Sequence, residues 1–399
     1  MTTSVDYVVA GLGALGSAAC WELARRGHQV VGLERFELGH SHGASHDTSR
    51  ILRHSYHTAS YVRLTLDAYD DWARLERESG QSLVTRVGGL DLFPPEPAIS
   101  PVDYTASLDE VGVGYELLDS SAVTRRWPQL RLPEGTIALH QPDAAIVPAA
   151  RGTRVLQAET RRYGAELREL SPVLDVRDLG GAGLEVHTGN DVIRCRGLVV
   201  CADAWTNDVL APLGLQLPLE VTLEQVTYFR PDDPEPFRPG RLPLWIWMDD
   251  PSYYGFPCYG EDTVKAAQDC GGPSVDPDRR TSDPDPDMEA RLAQHLARML
   301  PGSGPPVRSV RCQYTLTPDR DFVISRVPGH ESVVVGLGAA HGFKFAPTFG
   351  RLLADLVVVG ALEGSGASAG DGTTGSELPD FRLDRPGLTD PHYRAHWLV

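Results

Sequence analysis

Of the chain's 37 lysines and arginines, only Lys265 and Lys344 are lysine. Nearly every surface lysine has given way to arginine. Each survivor is therefore worth examining, because arginine cannot replace a compact ammonium or an amine that must lose its proton. Lys344 lies in His341-Gly342-Phe343-Lys344-Phe345. Lys265 lies in Thr263-Val264-Lys265, just after the aromatic run Tyr253-Tyr254-Gly255-Phe256-Pro257. Both sit beside glycine and aromatic residues rather than on a charged helix face. The six cysteines, Cys20, Cys195, Cys201, Cys258, Cys270 and Cys312, show neither zinc-site spacing nor a disulfide framework, so reduced thiols and no metal are expected.

A phosphate-binding turn is the second chemical signal. Tyr7-Val8-Val9-Ala10 reads as a short buried strand. It runs into Gly11-Leu12-Gly13-Ala14-Leu15-Gly16 and then into a helix-prone stretch from Ser17 to Arg26. Gly27 closes that helix, and Gln29-Val30-Val31-Gly32-Leu33 is a second strand ending in Glu34. Strand, glycine turn, helix and terminal acid together make the context of a dinucleotide site. Gly11 permits the turn, Gly13 lets backbone approach a pyrophosphate, and Gly16 lets helix and strand pack closely. The helix N-terminus offers N–H groups to phosphates, and Glu34 can accept from ribose hydroxyls. The motif alone does not separate NAD from FAD.

Three further segments bear on that choice. Gly43-Ala44-Ser45-His46 and Ser49-Arg50-Ile51-Leu52-Arg53-His54-Ser55-Tyr56 follow the second strand. Arg311-Cys312-Gln313-Tyr314-Thr315 comes late, and His341-Gly342-Phe343-Lys344-Phe345-Ala346-Pro347 follows the strand Ser332-Val333-Val334-Val335. In this order they resemble the monomeric sarcosine oxidase and N-methyltryptophan oxidase branch of the D-amino-acid-oxidase-like FAD enzymes, across nearly the whole chain. The resemblance implies an α/β fold: a Rossmann-type FAD-binding domain with an inserted α+β substrate domain on an antiparallel sheet. Expected boundaries are 1–87, 148–217 and 308–399 for the first domain, and 88–147 and 218–307 for the second. A helix is expected from Met288 to Leu300, after a Pro/Asp-rich loop. The Gly/Ser-rich run 364–375 reads as a surface loop.

The resemblance also implies roles. Cys312 matches a cysteine joined by a thioether to the flavin; the alternative is a buried free thiol. Lys265 matches a lysine near the reactive flavin nitrogen, where a fixed cation stabilises the superoxide formed as dioxygen is reduced. Lys344 and Arg53 match a pair that holds the substrate carboxylate. Arg50 and His46 match positions beside the flavin, although arginines that pair with surface carboxylates and a structural histidine fit as well. Ala14, Leu15, Arg35, Ser45, Ser49, Val173, Gly342 and Phe343 join the glycines and Glu34 around the cofactor, with Lys344 at the margin. Tyr254 and Trp245 fall where the family lines its pocket, yet both could instead pack the sheet against the core. Asp269 stands where the sarcosine enzyme has histidine. An acid there would repel a carboxylate, or pair with Lys265 or a cationic amine. Asp203 replaces the usual glycine before Ala-Trp and would crowd the cofactor.

The expected activity is oxidation of a secondary (N-methyl or cyclic) amino acid to an imine, with O2 reduced to H2O2. Two other functions fit the same residues. One is an FAD tailoring oxidase or dehydrogenase of secondary metabolism, acting on a cyclic or aromatic amino-acid derivative. The other is a non-catalytic flavin-binding protein. The net charge of −17 opposes a nucleic-acid or anionic-membrane role. No apolar run is expected to approach the roughly 20 residues of a membrane span, and the N-terminus lacks the basic start of a signal peptide. A cytoplasmic monomer is expected.

Overall fold

In the computed structural model, residues 2–189, 191–364 and 378–393 are described. The Gly/Ser-rich run expected to form a surface loop lies, beyond Gly364, outside them. Tyr7–Ala10, Val30–Leu33 and Gly197–Val200 are short strands with every residue buried. Continuous apolar strands of this kind suit the centre of a parallel sheet covered on both faces. They lie in a six-stranded sheet ordered Glu166–Arg168, Val30–Leu33, Tyr7–Ala10, Gly197–Val200, His330–Leu337, Val323–Val327. The first five run parallel and the last is antiparallel.

Helix Ala14–Arg25 follows the glycine turn and is buried along most of its length. It packs between helices Ala149–Arg162 and Ala346–Gly364. The segment Gly342–Gly364 is long and apolar enough to cross a membrane, contrary to the sequence expectation. Most of it, 72% of its apolar window, is buried instead against protein, including strand His330–Leu337 and helix Ala14–Arg25. A helix apolar on most sides is required wherever it is covered on most sides.

The second large sheet has eight strands, ordered Pro306–Leu316, Glu220–Phe229, Val264–Gln268, Tyr253–Phe256, Leu244–Trp247, Gly89–Phe93, Ile137–Gln141, Glu116–Asp119. All neighbours are antiparallel except Leu244–Trp247 with Gly89–Phe93. Strand Pro306–Leu316 belongs wholly to this sheet, so the chain returns to the six-stranded sheet later than the crossing expected near 308. One face is covered by helix Pro286–Met299, capped by Asp285, whose side chain accepts from the N–H groups of Asp287 and Met288. Its buried Met288, Leu292, Leu296 and Met299 form the stripe of an amphipathic helix. Alternation along the strands then sends Tyr254, Phe256, Lys265, Cys312 and Tyr314 to the opposite face, toward the six-stranded sheet. A small three-stranded sheet joins Arg50–Leu52 and Thr85–Arg86 to Ala145–Val147 and carries Arg50 and Arg53 between the two layers.

Candidate active site

Gly11 has φ +92°, and a Cβ there would come 2.3 Å from the carbonyl oxygen of Cys201. Only glycine fits that turn. Gly16 is a packing residue, since a Cβ would meet the Gly11 carbonyl oxygen at 1.8 Å. Glu34 accepts from the Leu12 N–H (2.8 Å) and the Phe36 N–H (3.1 Å). Burial opposes its charge, but these bonds and His40 hold the carboxyl below its ordinary range. Ser45 Oγ accepts from the Ala14 N–H at 2.9 Å, tying the second segment to the start of the helix.

These residues open onto a cavity of about 430 Å³. Gly11, Gly13, Ala14, Leu15, Glu34, Arg35, Ser45, His46, Arg50, Val173, Cys312, Gly342 and Phe343 all line it. Arg35 lies over the Trp205 ring at 4.9 Å, and its guanidinium is 3.4 Å from Asp278. Asp203 lines the cavity with φ +50°, a conformation natural to glycine. The buried His46 Nε2 and Gln313 Oε1 have no hydrogen-bond partner among the described residues. Burial, then Arg50, lowers the His46 pKa to about 4, so its imidazole is neutral. A glycine turn at a helix N-terminus, an acid at the strand end and unpartnered polar atoms on residues lining the cavity suit a flavin dinucleotide.

A second, smaller chamber of about 120 Å³ adjoins the first. Arg50, Tyr254, Tyr314, Ala340 and Phe343 line both. Arg50 is held on carbonyl oxygens, donating from Nη1 to Ser49 (2.9 Å) and from Nη2 to Ala44 (2.7 Å) and His46 (3.1 Å). The Tyr254 and Tyr314 hydroxyls are 3.4 Å apart. Arg53, Lys344, Asp269, Arg320, Tyr56 and Ile246 are among the other residues that line it. Lys344 Nζ donates to the Tyr56 hydroxyl (2.7 Å) and the His341 carbonyl (3.1 Å). Trp72 anchors this segment from below by donating to the Lys344 carbonyl at 2.7 Å. Burial, reinforced by Arg53, lowers the Lys344 pKa to about 7. Burial raises the Asp269 carboxyl above its ordinary range, against Arg320 and Lys344.

Three expected site residues stand elsewhere. Trp245 lies on the helix-covered face, fully buried beside Leu292 and Leu296, with its ring 6.3 Å from that of His295. The period of two decides this: Ile246, one residue on, lines the chamber. Lys265 lines neither cavity. Its Nζ is turned onto the Ser49 carbonyl (3.1 Å), the Ser49 Oγ (3.3 Å) and Asp47 (2.6 Å). Ser49 therefore serves the lysine rather than the cavity wall. Burial lowers the Lys265 pKa to about 8 against the pull of Asp47. Burial works against the Asp47 charge, yet Lys265 and the Tyr228 phenol hold that carboxyl down to about 2.

Sequence reasoning did not single out Asp47, Asp91, Tyr314 or Arg320. Tyr314 shares the face of Cys312 two residues away, and Asp91 is a lone acid in the apolar strand Gly89–Phe93, so both had a signal. All six cysteines are free. Burial pushes the Cys312 thiol up to about 11.

Comparison with known proteins gives a consistent picture. The family model described as FAD dependent oxidoreductase matches residues 6–356. The chain is 36% identical to the monomeric sarcosine oxidase of Streptomyces avermitilis, over 90% of this chain and 95% of that protein. It is 28% identical to an Escherichia coli N-methyl-L-tryptophan oxidase, over 95% of this chain and 99% of that protein. The solved structure of NikD, described as an unusual amino acid oxidase essential for nikkomycin biosynthesis, superposes with a TM-score of 0.80 at 29% identity. That match covers 89% of this chain and 94% of that one.

Proposed function

The chain belongs to the FAD dependent oxidoreductase family, and we propose that it oxidises the C–N bond of a secondary amino acid, N-methyl or cyclic, to the imine. The observation that carries this reading is the junction of the two cavities. A dinucleotide cradle opens, past Arg50, Tyr254, Tyr314 and Phe343, onto a small chamber holding a buried ammonium, that of Lys344. Bound FAD supplies the two-electron acceptor, and dioxygen its reoxidant, leaving hydrogen peroxide.

Each residue then has a physical task. Lys344 and Arg53 receive the substrate carboxylate through charge-assisted hydrogen bonds. Fixing that end fixes which C–H faces the cradle. Tyr254, Tyr314 and Phe343 wall the junction against water. Asp269 receives the amine end, which must give up its proton before its electrons can leave. Cys312 is the attachment point for a covalent flavin. Lys265 is the fixed cation for dioxygen reduction, acting from behind Ser49 and Asp47. The division into a cofactor domain and a substrate domain, and a cytoplasmic monomer, belong to the same proposal.

A dehydrogenase passing electrons to a carrier is favoured by one observation, the neutralisation of Lys265 by Asp47. A panel of secondary amino acids tested for anaerobic bleaching of the flavin decides the substrate class without assuming an oxidant. Bleaching by an N-methyl or cyclic amino acid supports the proposal. Bleaching by primary amines alone overturns it. Oxygen uptake with the bleaching substrate separates oxidase from dehydrogenase.

A further inference from the structure

The chamber contains more charge than one substrate carboxylate requires. Arg53, Lys344 and Arg320 line it together with Asp269. Arg53 is not a free cation: its Nη1 donates to Oδ1 of Asp91 and, at 3.4 Å, to Ser55 Oγ. Arg53 and Asp91 are both almost wholly buried, at 5% and 3% exposure. Asp91 sits behind Arg53 on strand Gly89–Phe93 and does not line the chamber. Arg320 is the foremost cation acting on Asp269. Lys344 faces a phenol and a carbonyl, with no carboxylate within ion-pair distance among the described residues. Arg50, at the junction, donates to three carbonyl oxygens and belongs to the cradle side. Counting Asp91 and Asp269 against Arg53, Arg320 and Lys344 leaves one positive charge in excess on the chamber side, and of these cations only Arg53 has a carboxylate within ion-pair distance among the described residues.

We propose that Asp91 is a specificity-determining residue: by cancelling Arg53 it leaves the chamber one positive charge in excess, and so restricts the substrate to a single carboxylate. This rests on the reading that the chamber receives the substrate carboxylate. A dicarboxylic amine would bring two anions against a net excess of one positive charge, and a buried charge without compensation is strongly disfavoured. With Asp91 ionised, Arg53 adds a hydrogen-bond donor for the carboxylate that Lys344 holds but no net charge; removing the Asp91 charge while keeping its shape gives Arg53 the net charge to meet a second anion. Asp91 acts through Arg53 and touches no substrate atom, so it is a positioning residue.

The test measures dissociation constants of acetate and malonate for the FAD-loaded protein, by flavin absorbance change and by thermal stabilisation. Asp91→Asn should shift the malonate-to-acetate affinity ratio toward malonate by about tenfold or more, as expected for an added cation in a shielded pocket. Asp91→Glu should keep the wild-type ratio. An unchanged ratio in Asp91→Asn, or a loss of both anions alike, overturns the inference. Should Asp91→Asn fail to fold, the double variant Arg53→Met/Asp91→Leu removes both charges together. It should keep the wild-type ratio even if both anions bind more weakly, and a shifted ratio there also overturns the inference. Lys344→Met separates the two levels. If it leaves acetate binding intact, the carboxylate reading of the chamber has failed; if it weakens acetate while Asp91→Asn leaves the ratio unmoved, only the role of Asp91 has failed.

Discussion

The ammonium of Lys265 lies 2.6 Å from the Oδ2 of Asp47. Asp47 is itself built in with care: it has φ +75°, its Oδ1 accepts from the Tyr228 hydroxyl at 2.5 Å, and its carbonyl accepts from the Ala150 N–H at 3.0 Å. A non-glycine residue in the left-handed region carries strain that its surroundings must hold. The pair keeps an ammonium charged where burial would strip its proton. Because the chain has only two lysines, lysine labelled at the side-chain nitrogen gives just two signals. Asp47→Asn removes the leading influence that raises the Lys265 pKa, so the Lys265 signal should titrate clearly below about 8. The ammonium is present below that pKa and lost above it. Flavin reoxidation by oxygen should therefore slow as pH rises through about 8, and slow at lower pH in Asp47→Asn. Lys265→Met should still be bleached by substrate without air, yet reoxidise ~10-fold more slowly or worse. An unchanged oxygen rate constant in Lys265→Met would remove this lysine from oxygen chemistry and favour the dehydrogenase.

Cys312 faces the cradle as a thiol that burial keeps protonated, with a pKa raised to about 11. If it carries a thioether to FAD, the yellow colour should stay with the polypeptide after acid precipitation. Cys312→Ser should then release its flavin on denaturation and lose activity. Free release from the wild type would show that Cys312 is only a buried thiol.

Lys344 should weaken substrate binding when replaced by methionine, by about 1.5–3 kcal/mol for a lost charged hydrogen bond. Its pKa is lowered from 10.5 to about 7 by burial. Without ligand, the ammonium is present below about 7 and lost above it, so carboxylate affinity should fall as pH rises through that value. The same shift bears on stability with the opposite sign. Between about 7 and 10.5 the unfolded chain holds the proton that the folded chain has released, so this group makes stability rise with pH. Denaturant melts at pH 6.5 and 9 should show that rise in the wild type and a smaller one in Lys344→Met. Substrate amides should be poor substrates. Equal affinity for an acid and its amide would reject the carboxylate role.

The dinucleotide cradle was legible because it is local. Gly11, Gly13, Gly16 and Glu34 state a turn, an approach and a strand end within one unit of chain, and the geometry shows the turn at Gly11 and the close packing at Gly16. The charge partners were not legible. Asp47 meets Lys265 across 218 residues of chain, and Arg53 meets Asp91 on a different sheet. Residue type announces a charge but not what opposes it. The length of the apolar helix Gly342–Gly364 was obscured because Lys344, Arg351 and Asp355 interrupt its run without ending its burial.

The hardest misreading turned on one residue of parity, and it yields the sharpest test. Trp245 and Ile246 are neighbours on strand Leu244–Trp247, so their side chains point to opposite faces. Trp245 is wholly buried under helix Pro286–Met299, whereas Ile246 forms part of the chamber wall. The family resemblance suggested the tryptophan as the pocket residue; alternation assigns that place to the isoleucine. Trp245→Ala should cost about 3–5 kcal/mol of stability, as for other large buried aromatics. At temperatures where it stays folded, its order of preference among substrates should not change. Ile246→Ala should behave the other way. It removes a smaller group beside an existing cavity, lowers stability less, and enlarges the chamber. Bulkier cyclic amino acids should then improve in kcat/KM relative to the smallest N-methyl amino acid. Denaturant midpoints and kcat/KM across one graded substrate series measure both effects. A substrate order that shifts with Trp245→Ala but not with Ile246→Ala would mean that the strand presents its other face to the reaction.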